Sequence, residues 1–171
     1  MHQLIKQLYD LLQDECSQYD TLVQLLREES DALRHVRFGA LPDIIARKDT
    51  AQIKIQQCEH QRHELIRSLA MKLDCAEEDF RLSMLYPHIP AKGRDLLESL
   101  RDALTHGVEE VRRQTANSQQ AADSMMMILH DTMEYIARQS GARSDVSYAG
   151  KVRPAASRRS TVQSVVLSRQ V

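Results

Sequence analysis

Hydrophobic residues recur at helical spacing along the first 37 residues of the chain. The period is near 3.5 positions, as in helices that pack along a narrow seam. Polar Glu15 and Glu29 fall where further apolar residues would continue this seam. The apolar positions are Ile5, Leu8, Leu12, Tyr19, Leu22, Leu26, Leu33 and Val36. The pattern predicts a long amphipathic helix of about 50 Å, at ~1.5 Å per residue.

A second amphipathic helix is predicted over residues 42–72. Phe38-Gly39 predicts a glycine C-cap for the first helix, and Pro42 predicts the start of the second. Lys48 and Arg62 lie near the apolar face and weaken it, although long basic side chains can lay their stems on apolar surface. The apolar positions are Leu41, Ile45, Ile55, Cys58, Leu65, Ile66, Leu69 and Leu73.

A short helix and then a very long one are predicted for the next segment. Asp74 followed by Glu77 resembles a capping box, which predicts a short helix through about Leu85. The third long helix begins near Gly93 and continues to about Gln139. It would measure about 70 Å, so part of it should project beyond its partners or lie against the short helix. Its apolar stripe is Leu97, Leu100, Leu104, Val108, Val111, Thr115, Ala122, Met125, Leu129, Met133 and Ile136.

The composition favours an all-α fold. Trp is absent, aromatic residues make up 4% of the chain, and there are only 5 Gly and 4 Pro, whereas sheets favour aromatic residues and frequent turns. We therefore expect an antiparallel bundle or coiled coil of three long helices plus one short helix. No apolar run approaches the ~18 residues that span a bilayer. The N-terminus also lacks the apolar stretch of a signal peptide, so a cytoplasmic location is expected.

The chain divides into an acidic body and a basic tail. Residues 141–171 contain six Lys or Arg and one acid, Asp145, and therefore carry a charge of about +5, which leaves about −6 on residues 1–140. We expect residues 1–140 to form the helical bundle domain and residues 141–171 to be a flexible basic tail, disordered in the free protein. A small apolar cluster near the end of the tail consists of Val162, Val165, Val166 and Leu167.

Catalytic and metal-binding chemistry have little support in the sequence. Cys58-x-His60-x-x-His63 is the best metal candidate, because His60 and His63, three residues apart on a helix, can face one ion, but no second ligand pair accompanies them. Cys16 and Cys58 lie on or beside apolar seams, where a thiol acts as a small hydrophobe. Cys75 lies beside a predicted helix N-terminus that could lower its pKa, but no general base is near it in the sequence. With no Gly-rich phosphate loop or nucleophile elbow, we predict a protein without enzymatic activity, cofactor or metal.

A methionine-rich stretch near the end of the third helix is the main candidate for function. Three consecutive helical residues, Met125-Met126-Met127, cannot all face one seam. One interpretation is that one or two of them fill the core. The other is that this end of the helix offers adaptable apolar surface to a partner. Asn117, just upstream, interrupts the apolar stripe.

Two functions of other classes remain open. The amphipathic seams could serve homo-oligomerisation in a structural coiled-coil or adaptor protein that has no client. Ser157-Arg158-Arg159-Ser160 in the tail could contact nucleic acid or an anionic membrane surface. The acidic body and the lack of aromatic residues among these basic ones argue against nucleic-acid binding.

Three groups of residues resemble the FlgN family of flagellar type III export chaperones. The first helix matches at Leu4-Ile5-x-x-Leu8 through Glu28-x-x-x-Ala32-Leu33. The second helix matches at Lys48 and Arg62-x-x-Leu65-Ile66, and the C-terminal region at Asn117 and Tyr148-Ala149-Gly150. The chain departs from the family where Asn-x-x-Asn-Gly is common, since Gln120 and Ala121 follow Asn117, and in its short Tyr-to-Gly spacing.

The resemblance implies a cytoplasmic chaperone without enzymatic activity. Its clients would be the hook-associated proteins FlgK and FlgL, which it would keep from premature assembly and deliver to the membrane protein of the export gate. The resemblance places client binding on the end of the third helix and the tail, and the gate contact at Tyr148. The implied partner-binding residues are Asn117, Met125, Met126, Leu129, Met133, Ile136, Tyr148, Val162, Val165, Val166 and Leu167.

Overall fold

Three long α-helices make up most of the computed structural model, which describes residues 1–139. Helix α1 spans His2–Arg34, α2 spans Leu41–Lys72 and α3 spans Ala91–Gln139. These bounds confirm the predicted all-α fold and the three long helices to within a few residues. The predicted tail, residues 141–171, lies outside the described residues.

Helix α1 lies between the other two helices. It packs against both α2 and α3, whereas α2 and α3 have far less contact with each other. Accordingly α1 buries 12 residues, against seven for α2 and seven for α3. The main core cluster includes Leu8 and Leu25 of α1, Leu69 of α2 and Leu104 of α3. The central position of α1 explains why its apolar seam is wider than a single coiled-coil stripe.

Two polar pairs show that α2 runs antiparallel to α1. Arg62 Nε donates to Glu15 Oε2 at 3.2 Å with both side chains buried, and Lys48 Nζ donates to Glu29 Oε2 at 2.6 Å. These four residues are the ones expected to weaken the two seams, and instead each acid meets a base from the opposite helix. Because both pairs span the same fourteen-residue interval in their helices, a single antiparallel register satisfies both.

Helix α3 runs parallel to α1 over most of the length of α1. Near its start, the Tyr9 hydroxyl donates to the backbone oxygen of Gly93 at 2.6 Å. Further along, Arg27 Nη2 donates to Glu110 Oε1 at 2.8 Å. Since α3 has 49 residues and α1 has 33, the last part of α3 continues past the C-terminal end of α1. The prediction that part of the third helix projects beyond its partner is confirmed.

Both α1 and α2 end at a residue with a left-handed backbone, Val36 (φ 57°) and Asp74 (φ 54°). Hydrogen bonds from Val36 N–H to Leu33 O (3.2 Å) and from Arg37 N–H to Ala32 O (2.8 Å) form a Schellman motif at the end of α1. The expectation that Phe38-Gly39 caps this helix is therefore wrong, because Val36 takes the C′ position. Pro42 lies in the first turn of α2, as predicted.

The segment between α2 and α3 contains two 3₁₀ helices, Glu77–Asp79 and Leu82–His88. The predicted capping box does not form, because Asp74 instead takes the left-handed position that ends α2. Phe80 and Leu85 from this segment are fully buried and close the core at the N-terminal end of α1. Phe80 and Leu85 both reach the core from this short segment, and Pro87 lies inside the second 3₁₀ helix. Both features favour short 3₁₀ helices over one continuous α-helix.

The predicted seams are correct at most apolar positions and wrong at several, including Val36, Ile45 and Thr115. Val36 is exposed beyond the end of α1, and in α2 the buried residue is Ile44, with Ile45 exposed. In α3 Thr115 is exposed, and the polar Gln114 and Ser118 are buried in its place. Gln114 donates to Glu110 (2.8 Å) and Ser118 to Glu29 (2.6 Å), so hydrogen bonds offset the burial of these polar groups.

Candidate binding surface

The last 14 described residues of α3, 126–139, form an extension that is largely exposed. It carries seven large apolar side chains whose exposed fractions lie between 42% and 71%: Met126, Met127, Ile128, Leu129, Met133, Tyr135 and Ile136. At ~1.5 Å per residue, the extension is about 21 Å long. A concentration of exposed apolar residues of this kind is typical of a surface that binds a partner.

The α3 extension continues the face by which α3 packs on α1. Ser118 and Met125 are buried on that face. At 100° per residue, Leu129 and Ile136 follow them on the same side of the helix, with Met133 adjacent. The side of α3 that contacts α1 in the bundle thus remains apolar after α1 has ended, and no described residue covers it.

The candidate residues of α3 therefore differ in accessibility. Met125 is only 7% exposed, so it anchors α3 to the bundle and offers little surface to a partner. Met126, Leu129, Met133 and Ile136 are exposed. One methionine of the stretch therefore fills the core, as the first interpretation predicts for one or two of them, and its two neighbours are exposed.

Asn117 lies in a cleft where the end of α1 meets α3. The cleft has a volume of about 320 Å³. Its walls are Leu33 and Arg34 of α1 and Asn117, Gln120, Ala121, Ser124, Met125 and Ile128 of α3. Asn117 is half-buried, and its amide donates only a long hydrogen bond (3.5 Å) to Gln114 Oε1. Its polar group is therefore available at the cleft, immediately before the apolar extension.

A polar junction fixes α3 to the bundle just before the cleft. Glu29 Oε2 accepts hydrogen bonds from Lys48 Nζ of α2 and Ser118 Oγ of α3, each at 2.6 Å, so one carboxylate links three helices. About two turns earlier on α3, Glu110 accepts hydrogen bonds from Arg113, Gln114 and Arg27, which lower its pKa to about 2. These contacts tie α3 to the rest of the bundle before the α3 extension begins.

Cys16 and Cys58 are in environments that disfavour the thiolate. Burial and nearby acids, Glu15 first among them, raise the pKa of Cys16 to about 11, and burial likewise raises the pKa of Cys58. The Cys75 thiol donates to Ala70 O at 3.7 Å, at the end of α2. Cys75 directly precedes Ala76, the N-cap of the three-residue 3₁₀ helix Glu77–Asp79.

Two further features concern metal ions and membranes. Within residues 1–139, no three His, Cys, Asp or Glu side chains are grouped so that they could hold a metal ion. His60, one member of the candidate ligand set, is exposed and lies 3.8 Å from Glu64. None of the helices in this part of the chain is both long enough and apolar enough to cross a membrane.

Five of the candidate residues are not among the described ones, and the structure shows two groups of residues that the sequence analysis did not single out as sites. Tyr148, Val162, Val165, Val166 and Leu167 lie outside the described residues. The buried pair of Glu15 and Arg62 had a signal in the sequence. Glu15 and Glu29 are fourteen residues apart, and so are Lys48 and Arg62, so two acids on one helix can meet two bases on the other. The exposed apolar turn at Val36 and Phe38 had none, because the sequence pattern places Val36 in the seam.

Comparison with known proteins identifies the family. No curated protein and no solved structure matches the chain. The family model described as FlgN protein matches residues 1–151, which include the whole bundle, the α3 extension and Tyr148. Since this match covers most of the 171 residues, the chain belongs to the FlgN family of flagellar export chaperones.

Proposed function

We propose that this chaperone acts in the cytoplasm on the hook-associated proteins FlgK and FlgL, which form the hook–filament junction. It binds them before export, prevents their premature assembly and delivers them to the membrane protein of the export gate. Membership in the FlgN family supports this class of client. The observation that carries the proposal is the α3 extension, an apolar helix face without a described partner at the end of the bundle.

The mode of binding that fits this surface is the addition of a helix. Along residues 93–125, α3 packs in parallel against α1. Beyond Met125, none of the described residues covers this face of α3. An amphipathic client helix can pack there, as α1 packs on the preceding part of α3. Met126, Leu129, Met133 and Ile136 are the proposed contacts, with Asn117 at the entrance. Flexible methionine side chains suit the two different clients because they adapt to different apolar partners.

The tail has two roles in the proposal. Val162, Val165, Val166 and Leu167 add apolar contacts to the client, and Tyr148 binds the export gate. A tail that orders on binding loses conformational entropy, which limits affinity and permits release without chemistry.

Deletion of residues 141–171 should therefore leave the bundle helical and abolish client binding. Tyr148→Ala should spare client binding and weaken binding to the gate protein.

Light scattering after size exclusion tests the proposal directly. We expect the full chain, mixed with purified FlgK or FlgL, to shift to a complex of defined mass. Met133→Lys should reduce the affinity at least tenfold, because it places a charge on the proposed contact face. The matched control is Met71→Lys at the opposite end of the bundle, since Met71 and Met133 are 69% and 71% exposed.

Two other outcomes would contradict the proposal. A stable self-assembly of the chain that fails to bind FlgK and FlgL would indicate a structural coiled-coil protein. Binding that falls steeply as salt rises, and that Met133→Lys does not change, would indicate recognition through the basic tail. Apolar contacts at the α3 extension should depend on salt only weakly.

A further inference from the structure

The turn between α1 and α2 presents a second apolar surface at the same end of the molecule as the α3 extension. Val36 is 57% exposed and Phe38 is 40% exposed. They follow Leu33 and Arg34, which form the α1 wall of the 320 Å³ cleft against α3. An element that packs on the α3 extension and continues across this cleft therefore meets the turn next.

The backbone of this turn is strained at Val36. A φ of 57° is a left-handed conformation, which is a clear outlier for a β-branched residue. Glycine is the usual residue at this C′ position because it has no Cβ to crowd the backbone. Val36 gains little from burial in return, since more than half of it is exposed. Strain held without a packing benefit is found preferentially at binding sites.

The charge around the turn is positive. Residues 34–40, RHVRFGA, contain two arginines and a histidine and no acid. Within the described part of the chain, neither Arg34 nor Arg37 pairs with a carboxylate, whereas Arg27, Arg47 and Arg62 each do. Asp31 and Asp43 border this segment, and Asp43 is paired with Arg47. The apolar pair Val36 and Phe38 is thus flanked by two arginines that have no carboxylate partner among the described residues, which favours a partner with acids beside its apolar stripe.

We propose that the α1–α2 turn is the second wall of the client site. An amphipathic client helix lies in the corner between the α3 extension and the turn, with its apolar stripe on Leu129, Met133, Val36 and Phe38. An acidic edge of that helix faces Arg34 and Arg37. This inference rests on the proposed function, because it names the shape and charge of the client segment that the same end of the molecule accepts.

Substitution of Val36 by glycine separates binding from stability. Val36→Gly removes the strain and the apolar side chain together, so we expect Tm to rise by about 1–4 °C while Kd for the purified junction protein increases at least fivefold. Asp74→Gly is the matched control, because Asp74 holds the same left-handed position at the other end of the bundle. We expect its Kd to stay within twofold of the unmodified chain. Val36→Asn, which also tolerates a left-handed backbone, should weaken binding to the same extent as Val36→Gly.

The charge prediction is tested with Arg37→Glu. We expect this variant to bind the purified junction protein more weakly than the unmodified chain at low salt. The difference in Kd between the two chains should shrink as salt approaches ~1 M, where the Debye length is about 3 Å. Unchanged Kd in Val36→Gly and Val36→Asn, with Met133→Lys still impaired, would overturn the second wall and leave the proposed function standing. Failure of the unmodified chain to bind FlgK and FlgL would instead contradict the proposed function itself. Variants that alter only self-association would show that the turn contacts a second copy of the chain, which also overturns this inference.

Discussion

Single residues control how closely the helices approach. Gly107 of α3 is buried against Tyr19 of α1, and a Cβ added to Gly107 would lie 3.1 Å from Tyr19 Cβ. From the sequence alone, Gly107 is only a glycine inside a helix, which weakens the helix relative to alanine. The structure gives it a packing role, because any side chain here presses on a tyrosine whose hydroxyl is also bound to Glu59 (3.3 Å).

Substitution of Gly107 should therefore destabilise the bundle. Gly107→Val adds a branched side chain where even one carbon is tight, and we expect a loss of about 1–3 kcal/mol in the free energy of unfolding. Gly39→Ala is the control, because nothing lies within 4 Å of a Cβ at Gly39. Urea unfolding followed by circular dichroism measures both variants. Equal stability of the two would show that α1 and α3 are not closely packed at this point.

Glu110 predicts a specific dependence of stability on pH. Hydrogen bonds from Arg113, Gln114 and Arg27 lower its pKa from 4.5 to about 2. The folded state therefore holds the carboxylate more strongly than the unfolded state, so this stabilisation is complete above pH 4.5 and is lost as pH falls toward 2. Glu110→Gln should reduce the fall in stability over that interval. Thermal unfolding at several pH values would contradict the assignment if the two chains lost stability in parallel.

At the scale of the helices, the charged pairs set the register between α1 and α2. Glu15 is fully buried, and among the described residues its Oε1 has no hydrogen-bond partner. Burial raises its pKa, and Arg62 opposes that effect. A buried ion pair in low dielectric adds little net stability, but loss of one member is costly. A shifted register would leave both Glu15 and Arg62 without their partners.

Removal of one member of this pair should cost more than removal of both. We expect Arg62→Met to lower the free energy of unfolding by about 3–5 kcal/mol, because Glu15 would stay buried near Glu59 without its cation. The double variant Glu15→Leu with Arg62→Met should recover most of that loss. Arg47→Ala, which breaks an exposed pair with Glu28, should cost no more than about 1 kcal/mol. Urea unfolding of the four chains would contradict this account if Arg62→Met were as mild as Arg47→Ala.

Helix-level features were predictable where the physics is local, and less so where it depends on a partner helix. Apolar periodicity is local, and it located all three long helices and most of the α1 seam. Within their own helices, Glu15 and Lys48 weaken the apolar seam. The partner that forms an ion pair with each of them belongs to the opposite helix. The tight turns that replace the predicted short helix depend on Phe80 and Leu85 reaching the core. Whether Met125 or Met126 is buried depends on where α1 ends, which the pattern within α3 does not contain.

Within the described residues, the molecule combines a bundle held by interhelical contacts with a largely exposed end of α3. Up to Met125, α3 is held to the bundle by packing, and Ser118 donates a hydrogen bond to Glu29 of α1. In residues 126–139 the side-chain contacts include hydrogen bonds local to α3, such as Thr132 to Ile128 O and Arg138 to Glu134. A helix end without tertiary packing has little stability of its own. We therefore expect this apolar part of α3 to be less stable than the bundle before a partner binds.

Hydrogen exchange measures this difference directly. In the chain alone, we expect amides of residues 128–139 to exchange at least a hundredfold faster than those of residues 97–118, because the former open by fraying and the latter require unfolding of the core. Addition of FlgK or FlgL should slow exchange in residues 128–139 and leave residues 97–118 nearly unchanged. The control is the Met133→Lys chain, which should fray as before and gain little protection from the client. Strong protection of residues 128–139 in the chain alone, increasing with protein concentration, would instead show that a second copy covers the α3 extension, because only self-association supplies a partner whose occupancy rises with the concentration of the chain itself.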